Sequence, residues 1–369
     1  MTRHLLILAL AVPLVAITIA FDGRVFHRDA EQVVFYPTYG FRQGTDWIIS
    51  VRAKVQEPRD VTAAFNTFLS RLPKRDDSET GRFKSRVADF LADDESGEDV
   101  RVRFENDPEQ RAYRITDAAG RFPQTNANGI VEGSLRLPDA VAQGLLTQQR
   151  STQGWLSYRA ISDEHTGTGR VRLIGPTGVS VISDIDDTIK VTEIPAGGSI
   201  VALNTFYRDF APTTELSARY KALGDAAFHY VSGGPWQLYG PVSTFLIGGG
   251  RFPEGTFHMK SLTGGIRTPI TSLEDLSRFA LPGGTFEHKI SQITTLMERF
   301  PGRRFVLIGD SGEQDPEIYR EVQSRFGTQV QEIVIRDLTN ARQLTPARLT
   351  GMTVVAAATV VHGVSQLAH

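Results

Sequence analysis

The run Val179-Ser180-Val181-Ile182-Ser183-Asp184-Ile185-Asp186-Asp187-Thr188 decides how this chain is read. Its first half is a short strand, apolar on both sides, which is the pattern of a strand buried inside a parallel sheet. Its second half places carboxylates where that strand ends, and parallel sheets bind ligands outside the carboxyl ends of their strands. Comparable runs recur at Ala227 to Ser232, Arg304 to Gly309 and Gln331 to Arg336, with helical patterns between them. Buried strands alternating with helices predict a doubly wound parallel-sheet α/β unit over residues 176–345, with a small helical cover around Thr192 to Leu223.

Upstream the pattern changes. Trp47 to Val55, Val100 to Glu105, Arg111 to Thr116, Ile130 to Leu137 and Trp155 to Ile161 read as short strands separated by Gly, Pro, Asn and Asp clusters. Such punctuation predicts a smaller, mainly-β antiparallel sandwich over residues 30–175. Two helical patches interrupt it as an insertion or side cover: Val61 to Leu72, capped by Asp60, and Arg82 to Leu91. Residues 346–369 form a C-terminal segment in which Met352 to Val361, rich in Ala and Thr, reads as core.

At the amino end Arg3 and His4 precede the apolar run Leu5 to Ala20, and Thr18-Ile19-Ala20 offers small residues where a signal peptidase reads. Residues 1–20 are therefore expected to be an export signal, giving a periplasmic or extracellular protein; the alternative is an anchor retained through residues 5–20. Hydrophobic residues make up 40% of the 369 and charged ones 22%, which excludes both a disordered chain and a multispan membrane protein. A formal net charge of −2 and no basic run exclude nucleic acid as the expected partner. The absence of cysteine excludes disulfides, thiolate metal sites and cysteine nucleophiles.

Three of the four buried runs end in reaction-capable residues: Asp184 and Asp186, then Ser232-Gly233-Gly234, then Gly309-Asp310-Ser311-Gly312. Carboxylates crowded on one rim repel one another, so a cation is expected among them. Oxygen ligands without His or Cys point to a hard ion, and Mg²⁺ fits best. An ionised Asp184 beside it can attack phosphorus, while Asp186 protonates the leaving alcohol and later deprotonates water. Ser232, the Gly233 amide and Lys289, on an amphipathic helix with Ile290, Ile293, Leu296 and Met297, can neutralise the peripheral phosphate oxygens.

Blander readings stand beside these. An acidic run is usually a solvated turn or a helix cap. A calcium loop would need Gly and Glu where Ile189 and Pro195 stand, which removes that reading. Gly248-Gly249-Gly250 lacks the spacing of a phosphate loop and reads as a turn. His288 reads as a surface or satisfied histidine. Trp236, Tyr239, Phe245 and Phe252 could line an acyl-chain entrance or build core, and Arg336 could meet a phosphate or pair with Asp337.

Taken in order, these residues resemble the haloacid-dehalogenase superfamily of aspartate-based phosphatases. Asp184-Ile185-Asp186-Asp187-Thr188 is similar to its first motif, Ser232 to the second, Lys289 to the third, and Gly309-Asp310 with Asp315 to the fourth. The resemblance implies that Asp184 is nucleophile and metal ligand, and that Asp186 is acid/base and offers its carbonyl to the metal. It also implies that Asp310 is the remaining metal ligand, supported by Asp315, and that Thr188 joins Ser232 and Gly233 around the phosphate. A closer resemblance is to the actin-patch-type phosphatidate phosphatases, relatives of the lipins. It runs through Ser183 to Lys190, Ser232-Gly233-Gly234-Pro235-Trp236, Phe286-Glu287-His288-Lys289 and Gly309 to Tyr319, and more weakly upstream from Tyr36-Pro37-Thr38-Tyr39-Gly40. The implied substrate is phosphatidate, with peripheral membrane contact. A water-soluble phosphate ester or phosphoprotein is the alternative, and a non-catalytic envelope-binding module is the reading from another class.

Overall fold

A computed structural model describes residues 31–57, 70, 74–161, 165–248, 252–262, 270 and 272–358. The expected leader lies outside these residues, as do Gly249 and Gly250 and all of Val61 to Leu72 except Ser70. Among the described residues no helix is long and apolar enough to cross a membrane.

The described residues are mixed α/β, with two sheets among them. The first comprises β1 (Glu31–Phe35), β2 (Thr38–Gln43), β3 (Asp46–Glu57), β4 (Asp93–Asp94), β5 (Arg101–Phe104), β6 (Tyr113–Arg114), β7 (Ile130–Pro138), β8 (Trp155–Ala160), β9 (His165–Thr166) and β10 (Thr168–Leu173). Alternate residues of its long strands, such as Trp47, Ile49, Val51, Leu135, Leu137, Leu156, Tyr158 and Val171, share one buried core. The sandwich expectation needs correction here, because the ten strands form one hydrogen-bonded network. β3 is long enough to pair with β2 and β1 along one edge and with β7 and β4 along the other. The far end returns to β7 where Thr116 and Ser134 exchange backbone hydrogen bonds of 2.9 and 2.8 Å. Gly133 permits this closure, since a Cβ there would stand 2.4 Å from the Thr116 carbonyl oxygen. Two pairings, β1 with β9 and β2 with β10, are parallel rather than antiparallel.

The second sheet is parallel and six-stranded, in the order β13-β12-β11-β14-β15-β16. Its strands are β11 (Gly178–Ser183), β12 (Ala227–Pro235), β13 (Gly255–Lys260), β14 (Arg303–Asp310), β15 (Val330–Asp337) and β16 (Thr353–Ala356). Their side chains divide by parity between two cores. Val181, Phe228, Tyr230, Val306 and Ile308 pack with Val201, Phe206, Tyr220 and Leu276 on one face. Ile182, Val231, Phe305, Leu307 and Ile335 pack with Ile293, Leu296, Ile318 and Tyr319 on the other. Of the stretch Met352 to Val361, read as core, residues 359–361 lie outside the described residues; Thr353–Ala356 form the half-exposed strand β16 beside β15, with Met352 and Val354 packed against one core and Val355 against the other. The expected cover is present as helical pieces at Gly198–Ala202, Leu203–Tyr207 and Ser217–Ala222.

The helix Asp77–Leu91 crosses from the first sheet to this cover. Phe83 stacks on Tyr207 at 4.8 Å, and Arg86 donates to the carbonyls of Thr205 and Arg208 at 2.8 and 2.7 Å. Burial of Phe83 and Val87 contributes about 3–5 kcal/mol, enough to keep the helix docked.

Three histidines lie along β12, β13 and the helix Thr285–Arg299. His229 Nδ1 meets Thr256 Oγ1 at 2.8 Å, the same hydroxyl meets His258 Nε2 at 3.0 Å, and His288 Nε2 lies 3.4 Å from the His258 carbonyl. Burial lowers His258 and His288 to about 4 and His229 well below its usual range. The unfolded chain therefore binds more protons than the folded one between these values and the ordinary ~6.5 of histidine. Their contribution to stability should be complete above that ordinary value and lost as pH falls towards 4. Fully buried His229 alone carries a slope of up to about 1.4 kcal/mol per pH unit. Denaturant titrations of wild type and His229→Gln should diverge below pH ~6.5, the variant giving the flatter profile; parallel profiles would contradict it.

Candidate active site

The first motif leaves β11 without a break. The Asp184 amide donates to the Ile308 carbonyl at 2.9 Å, one further rung of the sheet, and the chain then makes a single turn in which the Ile189 and Lys190 amides both donate to the Ile185 carbonyl at 3.0 Å. Ile185 and Ile189 are fully buried and anchor this turn. Asp187 holds it from within. Its φ of 57° is left-handed, a conformation Asp tolerates, and its carboxylate accepts from the amides of Thr192, Glu193 and Ile194 at 2.7 to 2.8 Å. Arg336 fastens the same turn by donating to the Asp187 carbonyl at 2.8 Å while pairing with Glu215 at 3.1 Å. Of the partners considered for Arg336, Asp337 is therefore not the one it takes.

Inside the turn lies a buried charge cluster. Lys289 Nζ stands 2.8 Å from Asp184 Oδ1, 2.6 Å from Asp315 Oδ1 and 3.7 Å from Glu313 Oε2. Lys289 sits at the fifth position of the helix Thr285–Arg299, one turn in, which aims it at the sheet rim. Asp315 opens the helix Asp315–Phe326, and its Oδ2 accepts the Asp310 amide at 3.3 Å. Gly309 lets the two segments meet, because a Cβ there would lie 2.3 Å from Asp315 Oδ2. Oxygens of Asp184, Asp310 and Asp315 all lie within 4.8 Å of one another.

Asp186 points elsewhere. Its Oδ1 is 2.6 Å from Lys190 Nζ and accepts from Thr192 Oγ1 at 2.7 Å, while Ser232 Oγ reaches Oδ2 at 3.4 Å. The structure thus joins Asp184, Lys289, Asp310 and Asp315 in one group, and Asp186 with Ser232 in another beside it. Thr188 is fully buried with its hydroxyl 3.5 Å from Asp310 Oδ2, and Gly233 follows Ser232 on the last rungs of β12. Glu313, Lys190, Thr192 and Asp187 are given no role by the sequence reading, and Arg336 is given only a phosphate or Asp337 as its partner. The spacing of Lys190, one helical turn after Asp186, was the available signal.

The electrostatics follow from four carboxylates around one ammonium. Burial pushes Asp184 well above the usual carboxylate range; Lys289 opposes this, and Asp315, Glu313 and Asp186 add to it. Burial and the charges of Asp315, Asp184 and Glu313 raise Asp310 likewise. Glu313 is pushed up to about 7, first by burial. For Asp186 burial is outweighed by Lys190 and Thr192, which hold it below the usual range. Burial disfavours the Lys289 ammonium, but Asp184, Asp315 and Glu313 outweigh it and hold the group well above its ordinary value. Among the described residues neither oxygen of Asp184 accepts a hydrogen bond, although the side chain is almost fully buried. Unsatisfied carboxylate oxygens inside a surplus of negative charge fit a metal ion, which this acidic triad could hold.

Residues 179–337 match the family described as Phosphatidate phosphatase APP1, catalytic domain. The chain is 29% identical over 191 residues to a protein of Saccharomyces cerevisiae named phosphatidate phosphatase APP1, covering 50% of this chain and 30% of that one. It is also 29% identical over 172 residues to an uncharacterized protein of Schizosaccharomyces pombe, covering 46% of this chain and 26% of the other. It therefore spans less than a third of the length of these two curated relatives. The likeness to the actin-patch-type phosphatidate phosphatases read from the motifs holds over this segment.

Proposed function

We propose that this chain, whose residues 179–337 carry the likeness to the phosphatidate phosphatase APP1 catalytic domain, is a phosphoric monoester hydrolase that converts phosphatidate to diacylglycerol with Asp184 as nucleophile. The observation that carries it is the Asp184 carboxylate: buried at a strand end, 2.8 Å from Lys289 and without a hydrogen bond to either oxygen among the described residues. A carboxylate so placed is a weakly solvated nucleophile, and Lys289 sets its direction. The two helix-covered faces of the parallel sheet support a doubly wound, haloacid-dehalogenase-like unit.

Asp184, Asp310 and Asp315 offer all-oxygen ligands, which suit Mg²⁺, with the Asp186 carbonyl completing the protein set. Such an ion would neutralise the phosphate and lower the barrier to attack. Lys289 and the hydroxyl of Ser232 face the same charge from the protein side, with the Gly233 amide next to it. Asp186 gives a proton to the leaving alcohol and takes one from the water that completes the reaction. The apolar amino end supports an export leader over residues 1–20 and a periplasmic or extracellular protein, or an anchor retained through residues 5–20, and a lipid substrate supports peripheral contact with a membrane.

Purified protein should release phosphate from dioctanoyl phosphatidate in Mg²⁺, faster than from glycerol 3-phosphate or a phosphopeptide, and excess chelator should abolish release. Undiminished turnover in chelator would remove the metal from the account. Preference for a soluble ester would replace the lipid with the alternative substrate class.

A further inference from the structure

Where the first sheet meets the turn that follows β12, the described residues border a cavity of about 270 Å³. None of its described lining residues belongs to the acidic cluster or to the Asp186 group. The volume is far above the ~10–15 Å³ that one water needs and just under the ~300–1,000 Å³ of ligand pockets. One wall is aromatic: the Tyr36 ring lies 4.2 Å from Trp236 and 5.1 Å from Tyr239. The polar lining includes Arg52, Lys54 and Gln56 of β3, Asp89 of the helix Asp77–Leu91, and Gln237.

Both cations of this lining are already paired. Arg52 meets Glu132 and donates to Ser261 Oγ at 2.7 Å, and Lys54 lies 2.8 Å from Asp94. Asp89 Oδ1 accepts the Gln56 amide at 3.4 Å. Two buried atoms find no hydrogen-bond partner among the described residues: the donor Nε of Arg52 and the acceptor Oε1 of Gln237. Buried polar atoms left in that state are destabilising, so a ligand that engages them gains affinity. An anion could accept from Arg52, but it would repel Asp89 and could not donate to Gln237. An ammonium could donate to Gln237 but could not accept from Arg52, and a hydrocarbon could do neither. A hydroxyl does both, and the aromatic wall offers an apolar surface to the C–H groups of a ring.

We propose that this cavity is a binding site for a neutral polyhydroxylated ring, a monosaccharide or a cyclitol, separate from the site of phosphoryl transfer. The inference goes beyond the phosphatase reading and would survive its failure. The ring could arrive free or as the headgroup of a glycolipid, since both present the same hydroxyls.

The full chain should be titrated calorimetrically with D-glucose, D-galactose, D-mannose and myo-inositol, and with cyclohexanol as a ring of similar size carrying one hydroxyl. At least one polyol should bind saturably, with a Kd of about millimolar or below, and cyclohexanol should bind at least about tenfold more weakly. Gln237→Leu and Asp89→Leu should each weaken the polyol about tenfold. Burial disfavours the Asp89 carboxylate, so its replacement should fold, and circular-dichroism melts check both variants. If one variant does not fold, the other decides. Sedimentation with phosphatidylcholine vesicles that requires an added glycosyl diacylglycerol, and is lost in Gln237→Leu, assigns the lipid headgroup; calorimetric binding without it assigns a free sugar. No binding of any polyol and no glycolipid-dependent sedimentation would mean that the cavity holds water only, and would overturn the proposal. Affinity unchanged in the folded variants, or cyclohexanol bound as tightly as the polyols, would overturn it equally.

Discussion

Asp184→Asn should lose at least about 10⁴-fold in kcat on 4-nitrophenyl phosphate and phosphatidate alike, because an amide cannot form an acyl phosphate and no neighbouring carboxylate has the same approach. Asp310 Oδ1 accepts the Gly312 amide at 2.6 Å, and both Asp315 oxygens are engaged, by Lys289 at 2.6 Å and by the Asp310 amide at 3.3 Å, whereas neither Asp184 oxygen accepts a hydrogen bond among the described residues. The fold should not suffer. Asp184 is held well above the usual carboxylate range, first by burial, so in the metal-free protein its ionised form is a cost. The variant should therefore unfold in chelator at or above the wild-type temperature, which separates a chemical defect from a structural one. Lower thermal stability together with lost turnover would leave Asp184 a structural residue.

Lys289→Met should damage both stability and rate. Among the described residues the ammonium is the cation within 4 Å of Asp184, Glu313 and Asp315, and its removal leaves these carboxylates and Asp310 facing one another. Breaking a buried pair from one side costs about 3–5 kcal/mol, and thermal unfolding in chelator should report a loss of that order near pH 8. The deficit must shrink as pH falls. Asp184 and Asp310 titrate above their unfolded values, so their ionisation weakens the folded state as pH rises through those values and protonation relieves it below them. Turnover should drop by about 10²–10³-fold, as for loss of one preorganised donor to a developing charge. A variant as stable as wild type near pH 8 would show that the cluster is neutralised by something other than Lys289.

Four strands of the parallel sheet could be read from the sequence because a strand covered on both faces is a continuous apolar run, and β11, β12, β14 and β15 all are. The other elements hid for identifiable reasons. β10 carries Arg170 and Arg172 and looks solvent-facing, yet Arg172 is buried because it donates to the carbonyls of Gln153, Asp225 and Ala226. β13 is an edge strand with few apolar positions, and β16 is another. The closure of the first sheet depends on Thr116 meeting Ser134, a pairing that local alternation does not specify.

The site divides in the same way. Asp184, Asp186, Ser232, Lys289, Asp310 and Asp315 were legible because each follows a strand end or keeps a place in a recognisable order. Lys190 was not, since a lysine near an acidic run reads as solvated until burial of the turn makes it the partner of Asp186. Arg336 takes Glu215, 121 residues away, so its role rests on the tertiary fold alone.

The central claim is that the phosphoryl group passes through the carboxylate of Asp184. Protein mixed briefly with 4-nitrophenyl phosphate, quenched in acid and reduced with borohydride should carry homoserine at position 184 when its peptides are weighed, with unreacted aspartate at positions 186, 310 and 315. Homoserine at one of those three positions, or unmodified peptides from an enzyme that turns over the ester throughout, would contradict the account.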